Sequence, residues 1–135
     1  MIELEPATVT INGTKYTAEL ATAVKTSLGR EDHGIFTAHI WFEWHGGGQA
    51  AGGYCLDDKP TGEPRRRRGT SFGLDHVMRI IEAFKANDWE SIKGKRAFIL
   101  KTEDRGTIQG IMNADDPNVY IVFADHAKEW LTEST

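Results

Sequence analysis

Apolar and polar residues alternate from Ile35 to Trp44. Phe36, Ala38, Ile40, Phe42 and Trp44 share one face, and Thr37, His39, Trp41 and Glu43 the other. A period of two predicts a strand with its apolar face on the core. Upstream, Thr8–Ile11 and Lys15–Leu20 flank Asn12-Gly13, a strong hairpin signal, and Ala21–Leu28 reads as a strand continuing the second arm. Gly29–Gly34 reads as a polar loop between glycines. After Trp44, Gly46–Gly53 is expected to turn the chain and Gly53–Leu56 to return it as a short strand.

The period then changes. Leu74, Val77, Met78, Ile81 and Phe84 recur at helical spacing, predicting one long helix capped by Thr70 or Ser71, with Arg79, Glu82 and Lys85 outward. Asn87 or Asp88 opens a short helical turn that Gly94 ends. Arg96–Thr102, Thr107–Met112 and Asn118–Phe123 read as strands, joined by a tight turn at "EDRG" and by "NADDPN". Asp125–Glu133 suits a terminal helix presenting Ala127, Trp130 and Leu131. The expected fold is α+β: an antiparallel sheet packed on one main amphipathic helix, plus a short C-terminal helix, within one domain spanning 1–135.

Composition fits that picture. The 135 residues are 39% hydrophobic and 27% charged, which are globular values. The apolar runs are short, so no membrane partner is expected. Acids in "MIELEPATVT" argue against a signal peptide, and a lone cysteine, Cys55, fits a reducing cytoplasm. The net charge of −4 is uneven. Residues 1–20 hold three acids against one base, 21–102 thirteen bases against ten acids, and 103–135 seven acids against two bases. Only the middle therefore suits an anion.

Candidate chemistry follows from there. Three histidines come directly after aspartate (Asp32-His33, Asp75-His76 and Asp125-His126), which raises an imidazole pKa or orients a ligand nitrogen. Metal-ligand spacing is missing, since His33, His39 and His45 lie six apart, and no metal or cofactor is assigned. Cys55 in "GGYCLD" reads as a small buried thiol; the enzymatic alternative is a cysteine or metal-dependent hydrolase using Cys55, His33, Asp57 or His76. "GGGQAAGG" lacks phosphate-loop spacing and reads as a hairpin tip. Arg65–Arg68 reads as a solvated loop. A nucleic-acid-binding role is the other alternative, disfavoured by the net negative charge and by the lack of aromatic interleaving.

The pieces converge on a binding surface. If the Ile35–Trp44 strand pairs with Gly53–Leu56, Arg30 and His33 share a rim with Asp57 and the helix start at Thr70. Arg30 then offers a fork for phosphate or carboxylate, and His33 a switchable donor. Trp41 and Tyr54 offer flat surfaces, and Gly52 and Gly53 mark a bulge or a close approach to the backbone. Trp41 among polar neighbours also predicts an interface between copies, hence a homo-oligomer.

"LGREDHGIFTA", "GGYCLD", "GTSFGLDHVMRIIEAF" and "DWESIKGK", in that order, make roughly residues 24–95 similar to a family of small proteins scattered through phage and prophage genomes. The resemblance assigns no catalytic residue and does not extend beyond Lys101. It implies a non-enzymatic accessory protein of the host cytoplasm that counters defence. Such a protein either occludes a host defence protein through an acidic surface, or sequesters a small nucleotide-like anion in a pocket of basic, aromatic and glycine residues.

Overall fold

The computed structural model describes residues 7–59, 66–102 and 106–133, the side chains of Glu31, Asp32, Thr132 and Glu133 excepted. The fold is α+β, as the periodicity predicts. Strand β1 (Ala7–Ile11) and the 19-residue β2 (Thr14–Asp32) form a hairpin at Asn12-Gly13, with Asn12 at φ 49°. The expected Gly29–Gly34 loop is mostly strand. β2 runs on to Asp32, and the turn is only His33-Gly34, with His33 at φ 52°. Polar residues are no obstacle there, because an exposed strand needs only its backbone partners. Register shifts occur in β2 between Ala23 and Lys25 and between Gly29 and Asp32; its first half pairs with the strand Arg96–Lys101 and its second with the strand Ile35–Trp44.

β3 (Ile35–Trp44) buries Ala38, Ile40 and Phe42, as its alternation predicts. The glycine run after it is not a hairpin tip. Residues 45 and 46 make the turn, and β4 (Gly47–Gly52) pairs with β3 from Trp44↔Gly47 to His39↔Gly52. Gly53–Leu56 is consequently not a strand. Gly52 ends the ladder at φ +110°, where a Cβ would lie 2.2 Å from the Ala38 carbonyl oxygen. The Gln49 side-chain amide pairs like a strand backbone, donating to Gly106 O and accepting from Ile108 N, each at 2.9 Å. That ties β4 to the chain at residues 106–108.

A two-residue ladder, β5 (Asp57–Asp58) with β6 (Arg68–Gly69), leads into α1 (Ser71–Ala83). The predicted stripe is buried only at its C-terminal end, where Phe84 is in the core and Ile81 packs against it. Gly73, His76, Ile80 and Ala83 face the core, while Leu74 is 66% and Met78 49% exposed. The helix has two apolar flanks, and close approach selects between them. A Cβ at Gly73 would sit 2.0 Å from the Leu56 carbonyl oxygen, so only the glycine flank fits against the chain.

A short 3-10 turn, Glu90–Ile92, follows Asp88, whose carboxylate accepts from the Ser91 amide. Then come β7 (Arg96–Lys101), β8 (Gly110–Asn113), β9 (Tyr120–Val122) and α2 (Phe123–Glu133). Most of the expected Glu103–Gly106 turn lies outside the described residues. Helix α2 buries Phe123 and His126, and Leu131, one of the residues it was expected to present, is 72% exposed. The strand order is β4-β3-β2-β7-β8-β9, with β1 added beside β2, and all pairings are antiparallel. Alternation gives two cores. Ala97, Ile99, Ile111 and Ile121 pack in one cluster with Ile80, Ala83 and Phe84 of the α1 segment. Leu100, Met112 and Val122 point the other way, onto Ile11, Tyr16 and Ala18.

Candidate ligand-binding site

Leu56 joins the elements of the site. Its amide donates to Phe36 O at 2.9 Å, and its carbonyl accepts from the Thr70 amide at 3.2 Å and the Thr70 hydroxyl at 2.9 Å. The Thr70 oxygen in turn accepts from the Gly73 amide at 2.9 Å, capping α1. The amides of Ser71 and Phe72 belong to the first turn and have no acceptor within the helix. No acidic residue occupies that turn, which carries the positive end of the helix dipole.

These groups open onto a cleft of about 820 Å³. Tyr54 and Cys55 line it from the segment after β4, Asp58 from β5, and Thr70, Ser71 and Phe72 from the start of α1. Ala127, Trp130 and Leu131 of α2 form the opposite wall. Behind the cleft lies a cluster of rings. His76 meets Tyr54 and Phe72 at 5.6 Å, Phe123 at 5.7 Å and His126 at 5.9 Å between centroids. His76 is fully buried, and neither ring nitrogen has a hydrogen-bond partner. Burial, helped by the neighbouring His126, lowers its pKa to about 4, so the imidazole is neutral at pH 7.

The wall formed by α2 is held from α1. Asp75 accepts from His126 Nε2 at 2.7 Å and from Trp130 Nε1 at 3.2 Å. The His126 bond, ahead of the other contacts, holds the Asp75 carboxyl below the usual carboxylate range. An ionised carboxylate only accepts, so Nε2 carries the proton. The sequence pairs are thus rearranged: Asp75 pairs with His126 instead of His76, and Asp125 accepts from Asn12 Nδ2 at 3.1 Å.

At the rim, buried Asp57 is the anchor. Arg67 grips it with Nε at 2.7 Å and Nη2 at 3.0 Å, and the Phe36 amide donates to it at 3.1 Å. The Arg67 bonds, against burial, lower the Asp57 pKa to about 2. Cys55 is exposed, contrary to the buried thiol expected, because its segment is not a strand. Its Sγ donates to the Asp57 carbonyl at 2.9 Å and lies 3.6 Å from Arg67 Nη2.

The structure therefore brings Tyr54 and Thr70 into one cleft and places Asp57 beside it as a structural anchor. Arg67, an arginine of the charged run, is the one that meets Asp57. Arg30 is exposed on β2, and Trp41 stands half-buried on β3, under Lys25 and beside His39; neither lines the cleft. His33 is exposed in the hairpin turn. Gly52 and Gly53 shape the backbone leading to Tyr54, both at positive φ. Arg65 lies outside the described residues, and Arg68 belongs to β6. The sequence marks Trp130 only as a residue presented by the terminal helix and gives no sign of Phe72 or the Asp75 clamp; the repeated Asp-His dipeptides are the one signal, and Asp75 pairs with His126 while Asp125 pairs with Asn12.

Among the described residues, no three His, Cys, Asp or Glu side chains converge as a metal site. No helix among them is long and apolar enough to cross a membrane. No protein-family model, curated protein or solved structure matches the chain.

Proposed function

We propose that this protein is a non-enzymatic binding protein that sequesters a small, flat organic anion in the cleft between α1 and α2. One observation carries the reading: aromatic Tyr54, Phe72 and Trp130 line the same cleft as Thr70 and Ser71 at the start of α1. Flat rings supply a stacking surface, and the start of a helix favours an anionic group. Nucleotide-derived molecules combine both features. The proposal agrees with the resemblance to phage accessory proteins, for which such sequestration withdraws a host defence signal. The Asp57 carboxylate beside the Cys55 thiol is gripped by Arg67 and its pKa is lowered to about 2, which makes it a weak base for activating the thiol.

The test is titration with nucleoside phosphates, followed by tryptophan emission. Saturable quenching that persists in Trp41→Phe and disappears in Trp130→Phe is expected. A complete absence of binding at millimolar ligand refutes the reading.

A second reading, occlusion of a host protein, is favoured by the exposed Leu74 and Met78 on α1. It predicts that a Leu74→Glu, Met78→Glu double variant keeps ligand binding but loses a protein partner.

A further inference from the structure

We infer a second binding site, at the far end of α1 from the cleft, for a small phosphate monoester with an apolar body: Lys95 and Arg96 hold the phosphate, and Leu20 and Phe98 receive the body. None of these four residues lines the cleft, so the inference does not rest on the reading proposed above.

A concavity of about 560 Å³ opens where α1 ends and β7 begins. Strand register builds its apolar floor. Leu20 on β2 lies directly opposite Phe98 on β7, and Arg96, two residues before Phe98, shares that face of the sheet. Leu20 is 42% exposed and Phe98 half-buried, so the pair is open to solvent at the concavity. Two residues along a strand span about 7 Å. A headgroup at Arg96 and a ring lying on Leu20 and Phe98 therefore fit within one small molecule.

Positive charge gathers around the same floor. Lys85, Lys95 and Arg96 line the concavity, against one carboxylate, Asp115. The neighbouring Asp116 is engaged by Lys85 at 3.5 Å. Among the described residues, Lys95 and Arg96 have no ion-pair partner. Two unpaired cations, one of them a planar fork, match the double negative charge of a phosphate monoester.

The walls are held by the protein's own hydrogen bonds. The Gly94 amide donates to Ala23 O at 2.7 Å and the Ala23 amide to Lys95 O at 2.9 Å, which fixes the chain carrying Lys95 and Arg96 against β2. Buried Asn113 donates to Ala83 O at 3.0 Å and accepts from the Asp115 and Asp116 amides, each at 2.9 Å, tying the end of β8 to the end of α1. A preformed concavity of this size, with an apolar floor and a few charged groups, has the character of a small-molecule site.

The test is titration of the isotope-labelled full chain with 1-naphthyl phosphate, 1-naphthol and inorganic phosphate, followed by backbone amide NMR shifts. Naphthyl phosphate is expected to shift the amides of Leu20, Lys95, Arg96 and Phe98 saturably, and to bind there about tenfold more tightly than either fragment. A Lys95→Gln, Arg96→Gln double variant, altered only at exposed positions, is expected to lose at least about tenfold in affinity at these residues. Leu20→Ser is expected to bring naphthyl phosphate down toward the affinity of inorganic phosphate. Inorganic phosphate binding as tightly as naphthyl phosphate overturns the inference, because the surface is then merely basic. Undiminished binding by the double variant overturns it too, as does the lack of any saturable shift at these residues with millimolar probe. Shifts confined to Tyr54, Phe72 and Trp130 overturn the second site and leave the cleft reading standing.

Discussion

The Asp75 carboxylate on α1 accepts the ring N–H of His126 on α2 at 2.7 Å, while its sequence neighbour His76 is enclosed by aromatic rings. One carboxylate thereby fixes two side chains of α2, His126 and Trp130, and Trp130 is a wall of the cleft. Rings also join the two helices, Phe72 with His126 and His76 with both His126 and Phe123, so the Asp75 contact adds a polar clamp to a packed aromatic interface.

Replacing Asp75 by Ala leaves His126 Nε2 and Trp130 Nε1 without their acceptor. The expected loss is about 1 kcal/mol, at the lower end for a charged hydrogen bond because the carboxylate is partly open to water. Asp75→Asn keeps one acceptor oxygen and loses less. Urea midpoints measure the stability, and near-UV circular dichroism reports the release of Trp130. An Asp75→Ala protein with unchanged midpoint and spectrum refutes the clamp.

Most of the fold is legible in the sequence because it follows from periodicity. β3 shows its alternation openly, and Asn12-Gly13 marks its hairpin. The helix start is legible through Thr70. The buried face of α1 is not, because both flanks are apolar and the choice is made by contact with Leu56, distant in sequence. Polar content also misleads: Gly29–Asp32 looks like loop and Gly47–Gly52 like turn, yet each finds a strand partner. The cleft could not be read in advance, since its walls come from residues 54–58, 70–72 and 127–131 and meet only after folding.

His76 makes stability depend on pH in a defined window. Its pKa is lowered from 6.5 to about 4 on folding, so between those values the unfolded chain binds the extra proton. Stability therefore falls as pH drops from about 6.5 to about 4, with a slope of at most about 1.4 kcal/mol per unit from this group. Thermal melts from pH 7 to 4 measure it. His76→Leu is expected to flatten the curve in that window; an equally steep curve in the variant assigns the effect elsewhere.

Gly73→Ala places a methyl against the Leu56 carbonyl, in a contact that backbone cannot relieve cheaply. The helix must move off Leu56, disturbing the Thr70 hydrogen bonds. A loss of about 1–3 kcal/mol is expected despite the better helix propensity of alanine. Denaturant unfolding decides the sign. A stabilised variant shows that α1 does not rest on Leu56.

Asp57 and Arg67 give a second, more acidic window. The Asp57 pKa falls from 3.8 to about 2 on folding, held down first by Arg67. The stability it contributes is full above about pH 4 and is lost as pH falls through 2, which separates it from the His76 window. Asp57→Asn removes the charge but keeps an acceptor for the Phe36 amide, so the chain path from β3 to β5 survives while the Arg67 grip weakens. About 1–3 kcal/mol of stability is expected to go at pH 7. Because Cys55 donates to the Asp57 carbonyl and lies beside Arg67, the cleft rim loosens with it. Cys55 is therefore expected to react faster with a thiol reagent in Asp57→Asn than in the wild type at equal pH. Urea midpoints from pH 7 to 2, with thiol labelling in parallel, test both parts. A variant that keeps the acid-induced loss below pH 4 shows that another carboxylate carries it, and unchanged labelling shows that the rim is held independently of Asp57.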